Sequence, residues 1–190
     1  MPVPVSDPKE DWIVRGEPDR PSVDENWTPV GLPEIDGVVA KEIRPVPLGN
    51  GCLTEVWRSE WGLDGLGVGQ VFQRLLDPGV VTEWHAHSRT TDRLFCAVGR
   101  IRLSLYDGRR SSPTSGIIWQ RVFGQDRPVL VVVPPGVWHG LAVLGATPAL
   151  ILNVVDQAYS YDGPDHERLP RDTPHIPLRL LEVGGGSFPE

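Results

Sequence analysis

From Gly37 onward, short apolar runs recur roughly every ten residues, the spacing of an all-β chain with tight turns. They read VVAKEIRPV, CLTEVWRSEW, VGQVFQRLL, VVTEWHAH, RLFCAV, RIRLSLYD, GIIWQRVF, PVLVVV, VWHGLAVL and PALILNVV. Between them lie LGNG, DPG, DGRRSSPTSG, GQDRP, PPG and LGATP, all rich in turn formers. RIRLSLYD alternates most cleanly: Ile101, Leu103 and Leu105 fall on one face of a strand, Arg102 and Ser104 on the other. Many such strands in succession predict a sandwich or barrel. Residues 1–36, rich in Pro, Asp and Glu without periodicity, are expected to form an arm. The barrel is expected over 37–156, and the polar, Pro-rich 157–190 as a tail packing on one end of it.

Charge narrows the partners. A net charge of −7 and a pI near 5.2 argue against a binder of phosphate backbones, which needs clustered Lys and Arg. A small molecule is the expected partner, and the Arg-rich basic set suits carboxylate or phosphate. Cys52 and Cys96 sit in apolar segments outside any C-x-x-C pair, so both are expected as buried free thiols in a reducing compartment. The first residues, MPVPVSDPKEDW, lack the apolar centre of a signal peptide, and VLVVV at 129–133 is too short to span a bilayer. A cytoplasmic protein without membrane partners is expected.

The chemistry concentrates in TEWHAHSRTTDRLF (82–95). His85 and His87 are two apart and share a face of a strand. Asp92 opens the next strand after a short loop, and His139 enters from a later strand after the Pro134-Pro135-Gly136 turn. Three imidazoles and a carboxylate aimed at one point suit a divalent ion such as Zn, Fe, Mn or Ni. An octahedral ion would keep two positions for water or substrate, whereas a tetrahedral zinc would be closed. The competing reading is of strand histidines hydrogen-bonded to backbone, with Asp92 a solvated loop acid. The spacing from Gly79 through His85, His87, Asp92 and Gly99 to His139 resembles the paired motifs of metal-binding cupins. Asp92 stands where Glu is usual, and no Asn follows His139. Cupins are double-sheet jelly rolls.

Between Gly37 and Leu180 the chain also resembles the dTDP-4-dehydrorhamnose 3,5-epimerase family, the RmlC-like branch of the cupins. GNGCLTE (49–55) stands against that family's R-G-x-x-x-E, followed by Gln70, CAVG (96–99), Asp107, Arg109 and SPT (112–114). PPGVWHG (134–140) stands against P-E-G-x-A-H-G, and Asp172 in LPRDTPHIPL against the late acid. The resemblance implies that His85, oriented by Asp172, removes protons beside the C4 ketone of a nucleotide-linked 6-deoxy sugar. In the family a Tyr returns them and a Lys steadies the enolate. Here the Tyr position falls on Leu152, the Lys position on Asp92 beside Arg93, the Arg before the catalytic His on Thr82, and the Arg opening the RG motif on Asn50.

A metal on His87, Asp92 and His139 would take over the task of the Lys as a Lewis acid. A His85 on that same metal would have no lone pair left for base work, and Asp172 would then merely orient it. Glu55, Gln70, Arg74 and Arg93 are candidate sugar-nucleotide contacts, with ordinary strand polarity or ion pairing as the alternative. Trp84 and Trp138, each preceding a motif His, are expected to face away from it into inter-sheet packing. Tyr159, Tyr161, His166 and His175 are expected at the surface of the tail.

The resulting expectation is a cupin jelly roll forming a homodimer and acting as an epimerase or isomerase of an activated keto-sugar with a divalent metal. The alternatives are a metal-dependent oxygenase or other small-molecule enzyme of the same fold, and a non-catalytic sugar-binding cupin.

Overall fold

The computed structural model describes residues 12–14 and 16–180; the ends of the expected arm and tail, residues 1–11 and 181–190, and position 15 lie outside the described residues. Twelve strands are assigned among them: β1 Val39–Glu42, β2 Val46–Leu48, β3 Gly51–Leu53, β4 Gln70–Leu76, β5 Trp84–Ala86, β6 Asp92–Val98, β7 Arg100–Asp107, β8 Ile118–Gly124, β9 Val129–Val133, β10 Val137–Val143, β11 Ala149–Val155 and β12 Glu167–Leu169. One antiparallel sheet runs β1-β9-β6-β11-β4 and the other β12-β5-β10-β7-β8, with β2-β3 a separate hairpin. This is a jelly roll: from β4 to β12 successive strands alternate between the two sheets except at the β7-β8 hairpin, and the apolar faces meet in between.

Strand alternation decides which residues enter that interior. Leu94 and Cys96 of β6, Ile101, Leu103 and Leu105 of β7, Val129, Val131 and Val133 of β9, and Ile151 of β11 form the main core. Each such side chain contributes roughly 1.5–3 kcal/mol on burial. Ile101, Leu103 and Leu105 of RIRLSLYD are therefore inside, as its alternation predicts. Residues one step out of phase cover the outer faces. On the first sheet Phe95, Leu130 and Leu152 pack with Trp57 and Trp61. On the second, Trp84 packs with Ile176 and Leu180, and Trp138 lies against them, so both tryptophans sit under the tail rather than between the sheets as expected.

The predicted strand CLTEVWRSEW breaks after Leu53 into a loop with a 3₁₀ turn at Ser59–Trp61. Cys52 is exposed on the β2-β3 hairpin rather than buried, whereas Cys96 is buried. Two motif glycines have a backbone reason. Gly99 joins β6 to β7 at φ 75°, where a Cβ would overlap the Pro148 carbonyl oxygen, and Gly136 turns β9 into β10 at φ 78°.

By compactness the chain divides at Leu32/Pro33. Within the first unit, Asp24 Oδ1 accepts from the main-chain N of Asn26 and Thr28, and Val23 bridges Pro29. In the second unit Ile35 is buried in the core and Asp36 N donates to Thr114 Oγ1, so the last residues of the stretch read as an arm are built into the barrel. From the tail, β12 adds to the edge of the second sheet by pairing with β5. No helix among the described residues is long and apolar enough to cross a membrane.

Candidate functional site

β5 spans three residues; Trp84 is fully buried on the outer face, so His85, and His87 just beyond the strand end, turn into the barrel. His139 of β10 is the cross-strand partner of His85, and their rings lie 3.8 Å apart. Asp92 comes from the opposite sheet, at the first position of β6. One ligating nitrogen from each of His85, His87 and His139 lies within 4.8 Å of the others. Asp92 Oδ2 stands 3.3 Å from His87 Nε2 and 3.1 Å from His139 Nε2.

Hydrogen bonds fix which lone pairs point inward. The Nδ1–H of His139 donates to the Val137 carbonyl oxygen at 3.1 Å, and the Nδ1–H of His87 donates to the Asp165 carbonyl oxygen. A carbonyl can only accept, so in the neutral rings both Nε2 atoms carry lone pairs aimed at Asp92 Oδ2. Asp92 Oδ1 already accepts from Asn153 Nδ2 at 2.6 Å. Asp92 Oδ2 and His139 Nε2 are both buried without a hydrogen-bond partner among the described residues. Lone pairs facing a carboxylate oxygen in a dry site repel each other unless a positive charge lies among them. A proton or a divalent ion meets that need, and three imidazole nitrogens with one carboxylate fit a borderline metal. His85, His87, Asp92 and His139 are the residues that could hold one.

The ionisation of the cluster follows the same geometry. Burial, reinforced by the neighbouring His139, pushes His85 down to about 2, so its ring is neutral. Burial opposes the charge on His87, but the adjacent Asp92 carboxylate, to which a protonated ring would donate, prevails and raises it. Asp92 is held well below the usual carboxylate range because His139 and His87 outweigh its own burial.

The cluster lies in a cavity of 410 Å³, a size suited to a small ligand. Gln70, Phe72 and Arg74 of β4 share the face that lines it, and Tyr159 reaches it from the tail. Gln70 Oε1 accepts from Tyr159 N at 2.9 Å, stitching tail to sheet.

Three expected site residues are elsewhere. Arg93 follows the inward Asp92, so the period of two sends it to the outer face. There its buried guanidinium pairs with Asp64 at 2.6 Å, lies over the Trp57 ring and donates to the Leu66 and Gly67 carbonyls. Glu55 is exposed and pairs with Arg58. Asp172 is exposed and makes no hydrogen bond or ion pair among the described residues, to His85 or to any other group. Leu152, at the family's Tyr position, packs outward against Phe95, while its neighbours Ile151 and Asn153 face the cavity.

Two tail residues belong here: His166, expected at the surface, and Asp165, which the sequence reading did not single out. Asp165 Oδ1 accepts from Ser88 N and Oγ, and its Oδ2 from Arg89 N and from Thr90 N and Oγ1. Those bonds outweigh burial and hold its carboxyl far below the usual range. His166 lies with its ring 5.1 Å from that of His85 and 4.9 Å from that of His87, and burial pushes it down to about 4. The only signal was the order Asp165-His166 in a segment too short to show alternation.

Two antiparallel sheets closed around an inward His pair and a third His define a cupin. No protein-family model matches the chain. It is 33% identical over 142 residues to the probable low-salt glycan biosynthesis epimerase Agl13 of Haloferax volcanii, spanning 74% of this chain and 91% of that protein. It is 35% identical over 138 residues to the spore coat polysaccharide biosynthesis protein SpsL of Bacillus subtilis, spanning 73% and 91%. The crystal structure of a dTDP sugar isomerase from Desulfovibrio desulfuricans superimposes with a TM-score of 0.71 at 34% identity, covering 76% of this chain and 90% of that one. The chain belongs to the RmlC-like family of sugar epimerases.

Proposed function

We propose that the protein is an epimerase or isomerase of an activated keto-sugar, binding a nucleotide-linked sugar in the 410 Å³ cavity above a divalent ion. The observation that carries the metal part is the convergence of two Nε2 lone pairs on the unpartnered Asp92 Oδ2. The names of the relatives, a glycan epimerase and a dTDP sugar isomerase, support the substrate class.

In this reading His85, His87, Asp92 and His139 hold the ion. When bound there, it supplies the Lewis-acid charge that polarises a sugar ketone. Asn153 fixes the Asp92 carboxylate, and the main-chain carbonyls of Val137 and Asp165 fix two of the rings. Arg74 and Gln70 face the space where a diphosphate or sugar hydroxyl would lie, and a guanidinium fork suits phosphate oxygens. The apolar Phe72, Leu94 and Ile151 walls keep the reacting carbons away from bulk water. A homodimeric, cytoplasmic enzyme, with a barrel over 37–156 flanked by arm and tail, completes the proposal.

Elemental analysis of the protein purified without added metal is expected to give about one divalent ion per chain, lost in His87→Ala and Asp92→Asn. Incubation with a dTDP-4-keto-6-deoxy sugar in deuterated water is expected to place deuterium at C3 or C5. A metal content far below one and unchanged by His87→Ala sinks the metal part, and absence of deuterium sinks the epimerase part.

A further inference from the structure

We propose that Arg89 is a substrate-binding residue of this site, taking the phosphate oxygens of the nucleotide-linked sugar, a role that rests on the keto-sugar reading above. Arg89 sits in the loop between β5 and β6, and the main chain of that loop is committed throughout. Asp165 takes the N–H groups of Ser88, Arg89 and Thr90, and Asp156 Oδ1 accepts from Thr91 N at 2.7 Å. Gln157 Nε2 donates to the Arg89 carbonyl oxygen at 3.2 Å. No N–H of residues 88–91 is left for a ligand, so what the loop offers an anion is the Arg89 guanidinium. The carboxylate beside it is already filled: Asp165 Oδ1 also accepts from Ser88 Oγ, and Oδ2 from Thr90 Oγ1. Arg58, Arg93, Arg109 and Arg121 each pair with a carboxylate. The Arg89 side chain makes no hydrogen bond or ion pair among the described residues, and it lines the 410 Å³ cavity.

Its place along the cavity suits that task. Gln157, which holds the Arg89 main chain, follows β11 just beyond Val155, the cross-strand partner of Gln70. Arg74 lies four residues along β4 from Gln70, roughly 13 Å away. The Arg89 loop thus sits toward one end of the β4 wall and Arg74 toward the other. In a pyranose the anomeric carbon, which carries the diphosphate, lies across the ring from the C4 ketone. A sugar with its ketone edge over the imidazole cluster therefore directs its phosphates away from the histidines, toward a cation at the end of the cavity. A guanidinium fork matches phosphate oxygens. Set on a fixed main chain and free of any internal ion pair, it gives up no existing contact and little main-chain freedom when it takes one.

The test titrates dTDP and, separately, inorganic pyrophosphate into the parent, R89A, R89K and R110A by calorimetry. Arg110 is exposed and does not line the cavity, so R110A makes the same change in net charge away from it. R89A is expected to weaken both ligands about 10–100-fold, the loss of one charge-assisted contact. R89K, which keeps the charge without the fork, should fall between R89A and the parent, and R110A should stay within about twofold of the parent. The urea midpoint of R89A is expected to match that of the parent, because main-chain bonds hold the loop; should it shift, R89K carries the comparison. Pyrophosphate affinity of R89A within twofold of the parent, an equal loss in R110A, or a parent that binds neither ligand each overturns the inference. A parent whose affinity depends on Arg89 but which exchanges no deuterium into a dTDP-4-keto-6-deoxy sugar overturns the keto-sugar reading and leaves the phosphate contact standing. An exchanging parent with undiminished affinity in R89A overturns only the role of Arg89.

Discussion

The ring of His87 is held from behind by the main-chain carbonyl oxygen of Asp165, 78 residues further along the chain. The same Asp165 gathers the main-chain N–H groups of Ser88, Arg89 and Thr90 into its carboxylate. One tail residue thus fixes both the loop that follows the His pair and the tautomer of its second member. Asp165→Ala is expected to weaken divalent-ion binding by about 10–100-fold, the usual effect of losing a partner that orients a ligand. It should also cost roughly 2–3 kcal/mol in urea unfolding, since charge-assisted bonds to main chain are lost. Asp165→Asn, which keeps one carbonyl oxygen, should fall between the two. Ion affinity in Asp165→Ala equal to that of the parent would separate the clamp from the site.

A second carboxylate governs acid stability. Asp107, buried at the end of β7, is penalised by burial, yet hydrogen bonds from Arg109, Ser112 and Thr114 prevail and hold it far below the usual range. Its folded pKa is depressed, so its contribution is full above the unfolded value of about 3.9 and is lost as pH falls toward the folded one. At pH 7 Asp107→Asn is expected to be less stable than the parent by about 2–3 kcal/mol. Between about pH 4 and pH 2.5 that gap should narrow, because both proteins lose the contributions of their other depressed carboxyls but only the parent loses that of Asp107. Urea midpoints across this range check the sign, and a gap that widens on acidification would contradict it.

The barrel and the His85–His87–Asp92–His139 constellation were legible because both follow from a period of two. Alternation placed Ile101, Leu103 and Leu105 inside, and the H-x-H spacing put two imidazoles on one face. Arg93 was misplaced for want of the same rule, as it adjoins Asp92 and must face away. Asp165 and His166 were illegible because a three-residue edge strand carries no periodicity, and its pairing with β5 is a long-range contact. Cys52 was misread because an apolar segment on a hairpin resembles an interior strand.

The contrast between two arginines tests that facing rule. Arg93 is fully buried with Asp64 beneath Trp57, and Arg74 lines the cavity. Arg93→Ala leaves the Asp64 carboxylate unpaired and is expected to destabilise the fold by about 3–5 kcal/mol. The protein that remains folded should bind dTDP as the parent does. Arg74→Ala should leave stability within about 0.5 kcal/mol and weaken binding of a nucleotide sugar about 10–100-fold, the loss of one charge-assisted contact. Calorimetric titration alongside urea unfolding distinguishes the two, and the reverse pattern would reassign both residues.

Asp172 offers the sharpest test of how this chain departs from a histidine–aspartate dyad. It stands at the family's acidic position, yet its carboxylate is exposed and forms no hydrogen bond or ion pair among the described residues, while His85 faces His139 and His166. A carboxylate that orients a base shapes the pH dependence of the reaction, because it sets the proton affinity of the ring. An exposed one does neither, and its neutralisation leaves stability within about 0.5 kcal/mol. Asp172→Asn is therefore expected to retain kcat within about twofold and to show an unchanged pH–rate profile. A drop of about 100-fold with a displaced profile would mean that Asp172 reaches His85 during turnover.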